Sequence, residues 1–170
     1  MPRVLPTPVV DALIEIPMGS QNKYEHDKKT GYFRLDRVLY SPIHYPADYG
    51  YVPQTLAEDG DPLDILVMIT VPTFPGCVVP ARVVGAMLME DDKGRDTKLL
   101  AVCNVDPRFE HVTSIGHLGH HTLREIEHFF SVYKSLEGKA TLTHGWRGLE
   151  FAIEELERAR NAYLGSDLHE

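Results

Sequence analysis

A short acidic stretch that runs straight into an apolar segment is the strongest constraint in this 170-residue sequence. Four carboxylates lie within the seven residues from Glu58 to Asp64, and the predicted strand Ile65–Ile69 follows at once. Like charges at this density repel, so a folded chain keeps them together where a cation neutralises them. Gly60 and Pro62 pre-bend the backbone, and all-oxygen ligands favour Mg²⁺, Mn²⁺ or Ca²⁺. The stretch predicts a metal-binding turn, with a solvated acidic turn as the alternative.

Length, composition and charge restrict the class of protein. The chain fits one domain, residues 1–170, and its 43% hydrophobic and 25% charged content is typical of a globular protein. No apolar run approaches the roughly 18 residues that span a bilayer, and Met1–Pro8 lacks the apolar core of a signal peptide. We therefore expect an extended N-terminal arm on a cytoplasmic protein with no membrane partner. The net charge of −8 argues against nucleic acid as a partner.

Alternating apolar and polar residues predict a series of short strands in the first hundred residues. In Val9–Ile16 the alternation turns Glu15 away from the main apolar row. The segment 41–53 contains too many prolines for regular structure, and it instead predicts a rigid aromatic wall from which Tyr49 presents its hydroxyl to a ligand. The further predicted strands are Lys23–Glu25, Tyr32–Tyr40, Ile65–Ile69, Cys77–Met89 and Thr97–Val102.

Helical periodicity begins only late in the chain. Apolar residues recur every three or four positions from Thr122 to a point before Gly138, and Thr122 with Glu125 resembles a capping box. A second amphipathic segment runs from Leu149 to Tyr163. About six or seven strands followed by two helices predict an α+β fold, in which helices pack outside a closed, strongly bent antiparallel barrel.

Charged and phenolic residues at the strand ends and turns form the candidate site. A carboxylate-rich site with a basic rim suits a polyanion that arrives with Mg²⁺, which predicts metal-assisted phosphoryl transfer to water. For Arg37, which interrupts an apolar row, an anion ligand and an arginine extended to the surface at a strand end remain equal alternatives. The acidic candidates are Glu15, Glu25, Asp59, Asp61, Asp64, Asp91 and Asp96, and the others are Lys23, Arg37, Lys98, Lys134, Tyr49 and Tyr133.

Other features of the chain carry weaker signals. The histidine-rich segment 104–121 fits a solvated loop better than a transition-metal site, and Cys77 and Cys103 fit buried free thiols. Two rival functions are a nucleic-acid-binding barrel and a calcium-stabilised structural barrel. The first lacks a basic aromatic face, and the second does not explain a phosphate-binding rim or the spare carboxylate of Asp61.

Seven motifs, in order over nearly the whole chain, resemble those of the soluble family I inorganic pyrophosphatases of bacterial type. The most specific is D-G-D-P-L-D-I at Asp59–Ile65. The others are I-E-I-P from Ile14, K-Y-E from Lys23, L-D-R from Leu35, Y-P-x-D-Y-G-Y from Tyr45, D-x-x-x-x-D-x-K from Asp91, and H-F-F-x-x-Y-K from His128.

The resemblance implies a fold and a reaction. The fold is an OB-like five-stranded closed β-barrel with extra hairpin strands and two C-terminal α-helices packed outside. The reaction is hydrolysis of inorganic pyrophosphate to two orthophosphates by metal-activated water. Several Mg²⁺ ions serve each active site, and Mn²⁺ or Zn²⁺ could replace them.

The resemblance also implies a role for each candidate residue. Asp61 acts as the general base, aided by Tyr49, while Lys98 lies beside the electrophilic group or the acids. The phosphates are bound by Lys23, Arg37, Tyr133 and Lys134. The metal ligands are Glu15, Glu25, Asp59, Asp64, Asp91 and Asp96.

A homohexamer is the expected assembly, because bacterial relatives that this chain resembles are hexamers built partly through the first helix. Phe129 and Phe130 lie about 100° apart on that helix, so one narrow core-facing stripe does not cover both. We therefore expect one of them, or His128, at a subunit contact. Val132 stands where some bacterial relatives carry a second histidine, which leaves pH- or metal-dependent assembly open.

Overall fold

The computed structural model describes residues 7–169, so most of the expected arm at Met1–Pro8 lies outside the described residues. Two helices follow the barrel strands, α1 (His120–Val132) and α2 (Leu149–Leu164). Neither they nor the short helical turns of the described chain are long and apolar enough to cross a membrane. The strands are β1 (Val9–Ile16), β2 (Asn22–His26), β3 (Phe33–Val38), β4 (Asp48–Tyr51), β5 (Asp64–Met68), β6 (Val78–Asp91), β7 (Gly94–Cys103) and β8 (Leu142–Arg147).

The sheet closes on itself, because β1 pairs with both β4 and β6. The order β1–β4–β5–β7–β6 therefore returns to β1, and β8 extends the sheet from β6. All pairings are antiparallel except that of β5 with β7, and β2 and β3 form a separate hairpin. The predicted five-stranded closed barrel with extra strands and two C-terminal helices is confirmed, with one parallel pair that the sequence pattern did not indicate.

Both faces of the central strands are buried, as their apolar runs require. On β5 and β7, Ile65 and Leu99 belong to a core cluster that includes α2, whereas Leu66 and Leu100 belong to one that includes α1. Successive residues thus pack towards opposite helices. This sandwiching fixes β5, and with it the acidic turn that precedes it.

The proline-rich segment 41–53 was expected to lack regular structure, and that expectation is wrong for β4. Its prolines flank these four residues, so all four can pair with β5 and the last three with β1. The pairing also requires glycine at position 50, because an added Cβ would overlap the carbonyl oxygen of Leu13. Close packing of β1 on β4 brings Glu15 and Tyr49 to one end of the barrel.

The first helix differs from its prediction in its start and in its packing. It begins at His120 with Gly119 as N-cap and no side-chain cap, so the expected capping box is wrong, and it ends at Val132. Phe129 and Phe130 are only 4% and 1% exposed within the single chain. Their rings pack edge-to-face, 5.0 Å apart, in the core beneath the helix. The broad core covers both aromatics, so neither is left for a subunit contact, whereas His128 is exposed.

Candidate active site

One open cavity of about 720 Å³, called here the main cavity, collects most of the candidate residues. It lies between the β2–β3 hairpin, the turn before β5, the β6–β7 hairpin and the end of α1. Of the thirteen candidate residues, twelve line it, and Arg37 does not. The twelve are Glu15, Lys23, Glu25, Tyr49, Asp59, Asp61, Asp64, Asp91, Asp96, Lys98, Tyr133 and Lys134.

The stretch Glu58–Asp64, called here the acidic loop, is shaped by its own backbone. Gly60 adopts a φ of +87°, which an L side chain rarely takes. The Ala57 amide donates to the Asp61 carbonyl at 2.7 Å, and the Asp61 amide donates to Asp59 Oδ1 at 3.0 Å. The Asp61 side chain is exposed to the main cavity, and no described residue donates a hydrogen bond to its carboxylate.

A buried ammonium lies among the acids of this site. Lys98 is 2% exposed, and its Nζ donates to Asp64 Oδ2 at 3.0 Å and Asp96 Oδ2 at 3.1 Å. It also donates to Tyr49 Oη at 2.7 Å. Burial opposes the charge of Lys98, but Asp64 and Asp96 together raise its pKa well above the ordinary value. The ammonium is therefore a permanent charge that holds two candidate metal ligands.

Several carboxylates of the main cavity are hard to ionise. Burial raises the pKa of Glu15 to about 7, although the His26 amide donates to its Oε2 at 2.8 Å. Burial also raises the pKa of Asp96, against the attraction of Lys98. Burial and the neighbouring Asp61 raise that of Asp59. In each case the loss of hydration on burial disfavours the charged carboxylate, and repulsion from neighbouring acids adds to that effect.

Donors suited to an anion line the same cavity as the acids. Lys134 Nζ lies 3.8 Å from Asp91 Oδ2, and burial lowers the pKa of this lysine despite that carboxylate. Lys23 Nζ donates to Asp36 Oδ2 at 2.9 Å. Burial raises the pKa of Tyr133 to about 12, so its hydroxyl remains a neutral donor. These three donors offer two charges and one hydroxyl to phosphate oxygens.

Arg37 stands beside the main cavity rather than on its wall. Its Nη1 donates to Asp36 Oδ2 at 3.2 Å, and its Nε lies 3.1 Å from Glu137 Oε1. The Glu137 side chain is 7% exposed, so this ion pair is largely buried on the carboxylate side. A role for Arg37 in substrate binding remains a prediction.

Asp36 and a group of basic side chains at the cavity mouth were not among the candidates. In the β2–β3 hairpin, the partner of Lys23 is Arg37 but that of Tyr24 is Leu35, so Asp36 occupies a bulge. A bulge breaks the alternation of side chains, and strand periodicity alone could not have placed Asp36 at the cavity. The L-D-R motif was the available signal. The basic residues at the mouth are Lys28, Lys29, Arg34 and Lys93.

The donor set fits hard divalent cations. Nine carboxylates line the main cavity, and the Lys98 ammonium already takes a cation's place between two of them. Within residues 7–169, however, no three acids, histidines or cysteines form a group that could hold one ion as they stand. The carboxylates are thus dispersed around a common space.

Comparisons with known proteins agree on one family. The family model described as inorganic pyrophosphatase matches residues 12–164. An inorganic pyrophosphatase of Geobacillus stearothermophilus is 56% identical over 155 residues, which cover 91% of this chain and 94% of that protein. The crystal structure of inorganic pyrophosphatase from Thermus thermophilus superimposes with a TM-score of 0.90 at 47% identity, covering 95% of this chain and 97% of that one. The structure of the inorganic pyrophosphatase of Helicobacter pylori also superimposes with a TM-score of 0.90, at 44% identity, covering 96% of this chain and 100% of that one.

Proposed function

Because the chain belongs to the inorganic pyrophosphatase family, we propose that it hydrolyses inorganic pyrophosphate to two orthophosphates in the main cavity. The observation that carries this proposal is that one cavity is lined both by the acidic loop and by Lys23, Lys134 and Tyr133. Pyrophosphate is a polyanion, and it needs cationic donors for its oxygens and carboxylates for its accompanying divalent ions. The main cavity offers both sets within one space.

The metal ligands would be six of the carboxylates on the cavity wall. Each metal would supply charge neutralisation and activation of a water molecule near neutral pH, and Mg²⁺ fits the all-oxygen donor set. Lys98 would hold Asp64 and Asp96 in place, because its ammonium donates to one oxygen of each carboxylate. The six ligands are Glu15, Glu25, Asp59, Asp64, Asp91 and Asp96.

Proton acceptance would fall to Asp61. Its carboxylate faces the main cavity and accepts no hydrogen bond from the described chain, so its oxygens are available to the attacking water. Burial keeps the pKa of Tyr49 well above its ordinary value, so its phenol stays neutral next to Lys98. Tyr49 would thus orient groups at the reaction centre without competing for the proton.

Substrate oxygens would be held by the cationic and phenolic donors of the main cavity. Lys23, Lys134 and Tyr133 would bind the two phosphoryl groups, and Arg37 would join them if Asp36 and Glu137 released it. The proton returned to the leaving phosphate would come from solvent or from Asp61. Hydrolysis consumes only pyrophosphate and water and yields two orthophosphates, so the reaction requires no organic cofactor.

A phosphate-release assay tests the proposal directly. The purified protein should release orthophosphate from pyrophosphate with excess Mg²⁺ and lose that activity in EDTA. Ca²⁺ in place of Mg²⁺ should inhibit, because Ca²⁺ accepts irregular coordination and lowers the pKa of water less. Absence of release with Mg²⁺ would contradict the proposed activity and favour a structural metal-binding barrel.

A further inference from the structure

Arg95 connects three parts of the molecule behind the main cavity. It precedes the candidate metal ligand Asp96 on β7, and its Nη2 donates to Glu155 Oε1 on α2 at 2.8 Å. The guanidinium carbon lies 5.7 Å from the centre of the Phe151 ring, also on α2. Its Nη1 lies 4.0 Å from Glu58 Oε1 in the acidic loop. One planar cation therefore contacts the strand, the helix and the loop.

The helix side of this connection is firmly anchored. Glu155 is 8% exposed, and its Oε1 accepts a second charged hydrogen bond, from Arg158 Nη1 at 2.8 Å. A buried carboxylate that loses its cation is strongly destabilised, so Glu155 holds Arg95 in one position. The Nε of Arg95 is buried without a partner among the described residues, which leaves the guanidinium a donor to spare.

The loop side has room to move. A second cavity of about 130 Å³, called here the rear cavity, lies between the acidic loop and α2, lined by Asp59 and Asp64 on one side and Ala159 on the other. A backbone hydrogen bond from the Leu56 amide to the Ala159 carbonyl, at 2.9 Å, connects the segment before the loop to the helix. The acids of the loop repel one another, and the rear cavity leaves space in which the loop can shift.

We propose that Arg95 is a positioning residue that holds the acidic loop and β7 at the separation required to bind divalent cations. The cation acts from behind the site, through Glu58 on the loop and through its own backbone next to Asp96. This inference rests on the proposed function only in assuming that Asp59, Asp64 and Asp96 bind metal. It adds to that function a residue that touches neither metal nor substrate.

The direction of the change in cation affinity distinguishes a positioning role of Arg95 from a purely electrostatic one. Removing a positive charge beside a cluster of acids should, by Coulomb's law alone, strengthen the binding of a divalent cation. Loss of positioning should weaken it, by about 10- to 100-fold for a residue that orients metal ligands. The variant Arg95→Gln therefore gives opposite results under the two explanations.

Arg158→Gln is the matched control. It removes the same charge, from a side chain that binds the same Glu155 oxygen and lines the same rear cavity. No ion pair between Arg158 and the acidic loop occurs among the described residues, so this variant should leave cation affinity nearly unchanged or slightly higher. Arg95→Lys keeps the charge but cannot bridge two carboxylates and stack on a ring, so it should weaken binding nearly as much as Arg95→Gln.

The experiment is a calorimetric titration of Mn²⁺ into the whole protein without substrate, with urea unfolding to check that each variant is folded. We expect Arg95→Gln and Arg95→Lys to lose at least about tenfold in affinity while Arg158→Gln does not. If Arg95→Gln does not fold, the Mn²⁺ affinity of Arg95→Lys alone tests the positioning role. Unchanged or tighter Mn²⁺ binding by the folded Arg95 variants overturns the positioning role.

The same titration keeps the two proposals apart. A wild-type protein that binds Mn²⁺ and releases phosphate, with Arg95 variants of equal affinity, refutes the positioning role alone. A wild-type protein that neither binds Mn²⁺ nor releases phosphate refutes the proposed function.

Discussion

Within the acidic loop, Asp61 is the acid whose carboxylate no described side chain or amide engages. Asp64 and Asp96, by contrast, accept hydrogen bonds from Lys98. The Asp61 oxygens are exposed to the main cavity, so they keep their capacity to accept a proton. This contrast supports the role of proton acceptor for Asp61 rather than that of a further structural ligand.

Asp61→Asn should therefore lower kcat by about 10²- to 10⁴-fold, because the amide keeps an oxygen but cannot accept a proton. Mn²⁺ affinity, measured by titration without substrate, should fall far less. Lys134→Ala serves as the comparison, since it should raise KM for pyrophosphate as well as lower kcat. Recovery of full activity by Asp61→Asn in excess Mg²⁺ would show that the residue is only a metal ligand.

Glu15 gives the site a pH dependence that can be measured without substrate. Burial raises its pKa from 4.5 to about 7, so between these values the folded state keeps a proton that the unfolded state releases. The free energy of unfolding of the metal-free protein should therefore fall as the pH rises through this window and level off above it. Glu15→Gln should reduce the fall by roughly 1–3 kcal/mol.

Urea unfolding in EDTA at a series of pH values measures this difference. Glu154→Gln, at an exposed position on α2 outside the main cavity, is the control, and its profile should follow that of the wild type. A Glu15→Gln profile parallel to the wild type would show that other groups, such as Asp59 or Asp96, cause the pH dependence.

At the scale of the elements, local patterns predicted what local forces determine. The alternation in Val9–Ile16 and the helical period of α2 reflect burial of one face, and both elements lie where expected. The strand β4 escaped prediction because its formation depends on β1 and β5, which are distant in sequence. The expected capping box is also absent, because the helix begins at His120, two residues before Thr122, with Gly119 as its N-cap.

The residues of the candidate site also fall into those set by local sequence and those set by distant pairing. The acids of the acidic loop could be predicted because their turn is encoded by adjacent residues, Gly60 and Pro62. The placement of Asp36 and Arg37 could not be predicted in this way, because both depend on a bulge in the β2–β3 pairing. Arg95 also carried no sequence signal, because its partners Glu58 and Glu155 lie far from it along the chain.

The contact between β1 and β4 offers a test at this scale. Gly50→Ala should lower the free energy of unfolding by roughly 2–4 kcal/mol, because a Cβ overlaps the Leu13 carbonyl and backbone cannot yield as a side chain does. Gly116→Ala is the matched control, since no atom lies closer than 3.8 Å to its added Cβ. Chemical denaturation compares the two, and equal stabilities would show that β1 and β4 can separate at little cost.

At the scale of the whole molecule, the aromatic residues of α1 no longer argue for assembly, because the single chain buries both of them. A different part of the chain, the segment Val71–Val78, is a better candidate for a subunit contact. Val71, Phe74 and Val78 are 68%, 64% and 54% exposed, within eight consecutive residues. Isolated apolar side chains are common on protein surfaces, but a group of large ones in one segment is typical of an interaction site. A second copy of the chain is the partner that the expected homohexamer would supply.

Light scattering on the purified protein should therefore give a mass near six times the 19.2 kDa of one chain. Phe74→Asp should lower that mass, because a charge in the centre of the apolar segment would be desolvated in every copy of the contact. Leu164→Asp, which alters an equally exposed side chain at the end of α2, should leave the mass unchanged. A wild-type mass of 19.2 kDa at micromolar concentration would contradict the assembly. An unchanged mass for Phe74→Asp would instead show that the subunits meet through another surface, for which the exposed His128 is the remaining candidate on α1.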